Sequence, residues 1–189
     1  MGNPILAGDI LQKSTATSVS PSDYTLVVQA SGNGPARKAT VSDLLASRGS
    51  TVTTTASTTV NASTTLVNVT GLSVNVLAGG TYVFDINLAT TSGASGGTKV
   101  ALGGTSTWTS INTTTWSYTA SAVAVNTGTT ATPGTSIAGS TAANIATIAR
   151  GTVVVNAAGT LTVMFAQNAS NGTDSVVLPN SWFRVTKVG

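Results

Sequence analysis

The side chains of this chain that could do chemistry are few: five aspartates, eight lysines and arginines, three tryptophans and three tyrosines. The acids, Asp9, Asp23, Asp43, Asp85 and Asp174, are scattered. Paired-carboxylate hydrolysis needs two acids held a fixed distance apart, and this spacing sets up no such pair. There is no His, Cys or Glu. That removes the Ser-His-Asp triad, the Cys-His dyad, the CxxC redox pair and a zinc site of the usual ligands. The nearest run to a phosphate-binding loop, GGTKVALGGT at 96–105, lacks both the GxxxxGK and the GxGxxG spacing. A Ser/Lys arrangement assembled in three dimensions is the one catalytic option left, and no spacing favours it. Asp85 and Asp174 would each need several more oxygen ligands to hold calcium. Asp85 alternates with apolar positions, so a pairing with Lys99 or Arg150 is its expected role. The sequence therefore reads as a non-enzyme without a cofactor or a metal site.

The aromatic residues Trp108, Trp116 and Tyr118 crowd into one hydroxyl-rich segment, TSTWTSINTTTWSYT. Exposed rings beside hydroxyls and Asn could stack on the apolar face of a sugar. Trp116 and Tyr118 also continue a period-two row, which favours packing in a core or a trimer interface.

Composition narrows the field further. Thr, Ser and Gly number 36, 22 and 20 of the 189 residues, and only 7% are charged, against roughly 25% in an average domain. A hydrophobic share of 41% suffices for a core, so this is a folded chain. The net charge of +3 comes from dispersed residues, not from the clustered stripe that binds nucleic acid. No stretch resembles a membrane span of ~20 apolar residues, and Ile5-Leu6-Ala7 is too short for the apolar region of a signal peptide.

Seven of the thirteen charges lie in the first 48 residues, and between Gly49 and Ala149 only Asp85 and Lys99 are charged. This break predicts two parts, an N-terminal anchoring arm over 1–50 and a β-domain over 51–189. The arm is expected to be extended and partner-dependent, with Ile5, Leu6, Ile10 and Leu11 docking on a partner. A short strand is expected at Tyr24–Gln29, then a turn at 31–35, with Arg37 and Lys38 following it in the turn before a helix. Thr40 would cap that helix, Leu44 and Leu45 would form its apolar face, and Gly49 would end it. Arg37 and Lys38 could then meet an acidic partner surface.

From Thr65 onward the pattern is strand. Val67, Val69, Leu72, Val74 and Val76 share an expected inward phase, as do Tyr82, Phe84, Ile86 and Leu88. Trp116, Tyr118, Ala120, Ala122 and Ala124 form another row. Thr152–Val155 reads as a buried β-branched run, Leu161, Val163 and Phe165 alternate, and a last strand spans Trp182–Lys187. The stretch 137–149 is ambiguous. About eight strands separated by turn signals predict an all-β, antiparallel jelly-roll sandwich with an extended N-terminal arm carrying one short strand and one short helix. Open edges on such a sandwich are usually protected by charges, Lys above all. Their scarcity predicts an obligate oligomer that covers its surfaces.

Two segments resemble bacteriophage virion proteins. SDYTLVVQASGNGPARKATVSDLLA at 22–46 is similar to the strand, turn, basic pair and Thr-capped Leu-Leu helix near the N terminus of phage fibre and appendage proteins. AAGTLTVMFAQNASNGTDSVVLPNSWFRVTKVG at 157–189 is similar to the closing strands of the tumour-necrosis-factor-like jelly roll of fibre tips and capsid decoration proteins. The matching parts there are Leu161 to Gln167, Asn168 to Ser170 and Ser181 to Lys187. The resemblance implies a homotrimer on the virion surface, anchored to the particle by its arm, and the lack of a repetitive shaft between arm and tip favours the major capsid protein as the partner. The expected function is that of a capsid decoration protein, either cement or head fibre, with no nucleic acid and no membrane insertion. The alternative is a tail-fibre tip or short tail appendage, docked on a tail protein and binding a host glycan near Trp108 to Tyr118.

Overall fold

A computed structural model describes residues 25–28, 37–40, 49–129 and 132–189. The chain divides into two units, Met1–Leu44 and Leu45–Gly189. In the first, β1 (Thr25–Val28) and β2 (Arg37–Thr40) pair antiparallel, with Val27 opposite Lys38 and Val28 opposite Arg37. Arg37 and Lys38 thus belong to a strand and not to a turn before a helix. A lone four-residue strand would leave its backbone groups unpaired, and the residues just after the chain reversal supply its partner. Ile5, Leu6, Ile10, Leu11, Leu44 and Leu45, with the expected helix, lie outside the described residues.

The second unit is an all-β structure of two antiparallel sheets, an arrangement consistent with a jelly-roll-like sandwich. The strands are β3 (Ser50–Thr53), β4 (Thr58–Val60), β5 (Val67–Val76), β6 (Thr81–Thr91), β7 (Thr98–Gly103) and β8 (Thr107–Thr119). They continue with β9 (Val123–Thr129), β10 (Ser136–Ser140), β11 (Asn144–Ala157), β12 (Gly159–Ala166), β13 (Ser175–Val177) and β14 (Trp182–Lys187). The larger sheet runs β3-β14-β6-β11-β8-β9, with β13 and β4 added beside the end of β6, and the smaller runs β10-β7-β12-β5. No helix occurs among the described residues.

The core lies between the sheets. Tyr82, Phe84, Ile86 and Leu88 of β6 all point inward, as their alternation predicts, and so do Phe183 and Val185 of the neighbouring β14. They meet Leu72, Val74 and Val76 of β5, Val100 and Leu102 of β7, and Leu161, Val163 and Phe165 of β12. Such interdigitation of alternating inward residues is what holds a sandwich together.

Three expectations need correction. Val67, the first residue of β5, is exposed although Val69 and Leu72 are buried, and Gly71, at φ +86°, shifts the phase so that Val69 and Leu72, three apart, both face inward. Thr152–Val155 alternates, with Val153 and Val155 inward and Thr152 and Val154 exposed, so it is not buried on both faces. The row from Trp116 to Ala124 is not one strand, since the chain reverses between β8 and β9. Thr119 makes that turn: its Oγ1 accepts from the Ser121 and Ala122 N–H groups and donates to the Ala122 carbonyl. A hydroxyl here does what Gly or Asn does in other turns.

Two positions show how tightly the sandwich is specified. Gly151 stands in β11, between Phe84 of β6 and Thr113 of β8. A Cβ there would run into the Asn112 carbonyl oxygen and the Phe84 ring. Gly151→Ala should therefore cost about 1–3 kcal/mol, the usual range for overpacking, read from chemical denaturation. Gln167, 0% exposed, uses its whole amide. Nε2 donates to the Asn171 and Thr173 carbonyls at 2.9 and 2.7 Å, and Oε1 accepts from the Ser63 and Asn171 N–H groups at 3.1 and 3.0 Å. Gln167→Glu turns a double donor into a carboxylate facing two carbonyls. Burial disfavours the charged form, so the folded state of this variant holds its proton to higher pH than the unfolded chain. Its stability should be highest in acid and fall as pH rises through the carboxylate range, opposite in sign to an ordinary salt-bridged acid. Denaturation midpoints across that range test it.

Candidate functional site

Residues directly opposite one another in antiparallel strands project to the same face. Applied to the larger sheet, this rule assembles an outward surface whose rows can be read from the register. One row runs Val125, Trp116, Ile148, Asn87, Trp182 from β9 across to β14. The next, toward the β8–β9 turn, runs Val123, Tyr118, Ala146, Ala89. Val123 and Val125 are 49% and 59% exposed, and Trp116, Tyr118, Ile148 and Trp182 are half-buried. Together they form an apolar, aromatic patch at one end of the sheet.

Strand β8 explains why the patch exists. From Thr113 to Tyr118 its inside and outside are reversed: Thr113, Thr115 and Ser117 point into the sandwich and are buried, while Trp116 and Tyr118 point out. The reversal follows from a bulge. Val154 faces Ser110 but Val155 faces Trp108, so Thr109 is left over and the phase of β8 slips by one. Trp108, before the slip, is 5% exposed and belongs to the core, so it leaves the candidate site. Trp116 and Tyr118, after it, are placed on the outer face.

The row on the other side of Trp116 is polar: Thr127, Thr114, Arg150, Asp85, Arg184. Asp85, 8% exposed, lies between two guanidinium groups. Arg150 Nε approaches Oδ1 at 3.0 Å, while Arg184 Nη2 and Nε donate to Oδ2 at 2.6 and 3.1 Å. Arg150 was an expected partner; Lys99 is not one, since it stands in β7 of the smaller sheet. Beside this row is an open depression of about 560 Å³, walled by Asn112, Thr114, Thr127, Thr129, Arg150 and Thr152. Its floor is backbone at Thr113, Gly128 and Gly151. Hydroxyls, an amide and a guanidinium around a shallow saddle can offer hydrogen bonds to a polyhydroxylated surface.

The other acid in the described sandwich, Asp174, has a structural role. Asp174 Oδ1 accepts from Asn61 Nδ2 at 2.6 Å, pinning the loop that Gln167 holds. Among the described residues no three His, Cys, Asp or Glu side chains converge as metal ligands would, and no helix is long and apolar enough to cross a membrane. Sequence reasoning missed Val123, Val125, Ile148 and Trp182 as members of the patch. The alternation of Val123 and Val125 was the available signal, masked by the assumption that β8 continued through Ala124.

No protein-family model matches the chain, and no curated protein does. Among solved structures, Eiger TNF from S. frugiperda is similar, at 12% identity over 75% of this chain and 92% of that one, with a TM-score of 0.32.

The Asp85 cluster yields a direct test. Asp85→Asn leaves two guanidiniums facing an uncharged amide. Stability should fall by about 1.5–3 kcal/mol, the range for hydrogen bonds to charged groups, and part of the loss should persist in high salt because the carboxylate is covered. Urea denaturation at low and high ionic strength measures both.

Proposed function

We propose that this chain is a non-catalytic structural protein of a bacteriophage virion. In this reading it is a homotrimeric jelly roll on the virion surface that decorates the capsid, bound to the major capsid protein through its N-terminal arm. The observation that carries it is the reversed strand β8, with hydroxyls inside and Trp116 and Tyr118 outside. A strand facing solvent on its outer side has the opposite pattern. Large apolar side chains on the outer face, continued by Val123, Val125 and Ile148, suit a sheet covered by another copy of itself. Strand β9 supports the same conclusion, being an exposed, uncharged edge strand beside the patch. The resemblance of segments 22–46 and 157–189 to virion proteins supplies the location, and Arg37 and Lys38 of β2 are candidate contacts for an acidic capsid surface.

A second reading draws on the saddle beside Trp116. A tail-fibre tip or short tail appendage would use the aromatic row and the hydroxyl-lined depression to bind a host glycan.

Light scattering on the purified chain should give a trimer. Trp116→Asp combined with Val125→Asp should give a folded monomer with unchanged far-ultraviolet dichroism. Deleting residues 1–48 should leave the trimer intact and abolish attachment to particles. A monomeric wild-type chain would overturn the oligomer, and attachment without the arm would move the anchor into the sandwich. The molar ratio to the major capsid protein separates the two readings: hundreds of copies mean decoration, a few to a few tens mean the tail.

A further inference from the structure

Most buried polar side chains among the described residues are satisfied. Thr113, Thr115, Ser106, Ser175 and Ser181 donate to backbone carbonyls, and Thr162 bonds Ser73. Four buried side-chain oxygens are the exceptions among the described residues: Thr90 Oγ1, Ser117 Oγ, Asn144 Oδ1 and Thr147 Oγ1. They do not scatter. Ser117 of β8 stands directly opposite Thr147 of β11, and Thr147 opposite Leu88 of β6, two positions before Thr90 on the same inward face. A register shift between Asn144 and Ala146 turns Asn144 inward and leaves Ile145 exposed. That brings Asn144 level with the part of β6 just past Ala89, where Thr90 points in. All four oxygens therefore occupy adjacent inward positions on three neighbouring strands.

Asn144 orients the group. Its backbone N–H donates to Ser92 Oγ at 2.8 Å and its Nδ2 to Thr98 Oγ1 at 2.7 Å, across to the smaller sheet. This fixes Oδ1 as an acceptor with nothing to accept. Directly opposite hydroxyls can bond one another, as Ser73 and Thr162 do at 2.9 Å, but Ser117 Oγ and Thr147 Oγ1 make no such bond, which leaves both available to a bridging water. We infer that this seam, between the sheets at the end where β11 begins, binds a small cluster of ordered water molecules bridging Thr90, Ser117, Asn144 and Thr147. The donor set selects water over an ion. Three hydroxyls can give or accept and one amide oxygen accepts, but no charge lies among them, and an ion would be buried without a counter-charge. Asp85 and its arginines are on the opposite face of the sheet. Internal water that satisfies such groups is a structural component, costly to remove.

Thr147→Val keeps the shape and removes the hydroxyl. If water bridges it, the variant strands that water and the folded-to-unfolded ratio should fall about tenfold, measured by urea denaturation of the full chain. A dry seam predicts a rise, because an unpaired buried oxygen has been deleted, and a rise or no change overturns the inference. A high-resolution crystal structure of the unaltered chain reads the seam directly. Water oxygens within about 2.7–3.2 Å of at least two of the four atoms support it. A seam without water, or one closed by direct hydroxyl–hydroxyl bonds, overturns it.

Discussion

Every sheet ends in strands whose outer backbone groups have no partner, and this protein must manage that with almost no charge. The smaller sheet solves it by placement. Its edge β10 lies against β8 and β9 of the larger sheet, and Thr115 Oγ1 reaches both the Asn126 and the Ile137 carbonyls, at 3.3 and 3.4 Å, joining the two sheets. Its other edge, β5, lies against β3, close enough at Gly71 that an added Cβ would stand 3.2 Å from the Thr53 carbonyl oxygen. Edges that meet corner to corner shield each other. On the larger sheet, β9 is exposed along nearly its whole length, with neither a charge nor a proline to blunt it.

Threonine does much of the work that Lys, Asp and Gly do in other sandwiches. It makes a turn at Thr119. It bridges loop to strand where Thr105 N–H donates to Thr160 Oγ1 and Thr160 N–H to Thr105 Oγ1. It is also β-branched, and so suits the pleated surface of a strand. A small hydroxyl can be buried if its one proton finds a carbonyl, whereas a charge needs a counter-charge and several partners. Asp85 shows the second case, since its carboxylate is covered only because two arginines close over it.

The same threonines limit what sequence reading can reach. Where the outer positions carry Asp and Asn, as Asp85 and Asn87 do in Tyr82–Leu88, the period gave the inward face correctly. In the Thr-rich stretches the contrast is lost, because Thr occupies inward and outward positions alike. Thr113 and Thr115 are buried while Thr107 and Thr109 of the same strand are exposed. Hence β9, β10 and the start of β11 were not separated, and about eight strands were expected where the β-domain has twelve. The bulge in β8 is a one-residue event that no composition signal announces, yet it decides that Trp108 is core and Trp116 surface. The Asp85–Arg184 pair was invisible for another reason: it depends on which strand lies beside β6, a property of topology.

These strands carry one argument on both faces. At the level of Ser117 and Thr147 the interior is polar and short of partners, and on the outer side of the same two strands stand Trp116, Tyr118 and Ile148. Filling the interior with larger apolar groups and leaving Thr outside would be the favourable arrangement for a monomer in water, since apolar burial scales with the area removed from solvent. The chain places its large rings half-buried on the outer face, beside the exposed β9 edge. Each feature costs stability in an isolated subunit, and both costs vanish if a second copy covers this end of the sheet. The central row of the face does not oppose that contact, because Asp85 already offsets one of its two arginines and the rest of the patch is neutral. Association at this surface is then governed by the fit of the rings and the β9 edge, with long-range charge a minor influence on it.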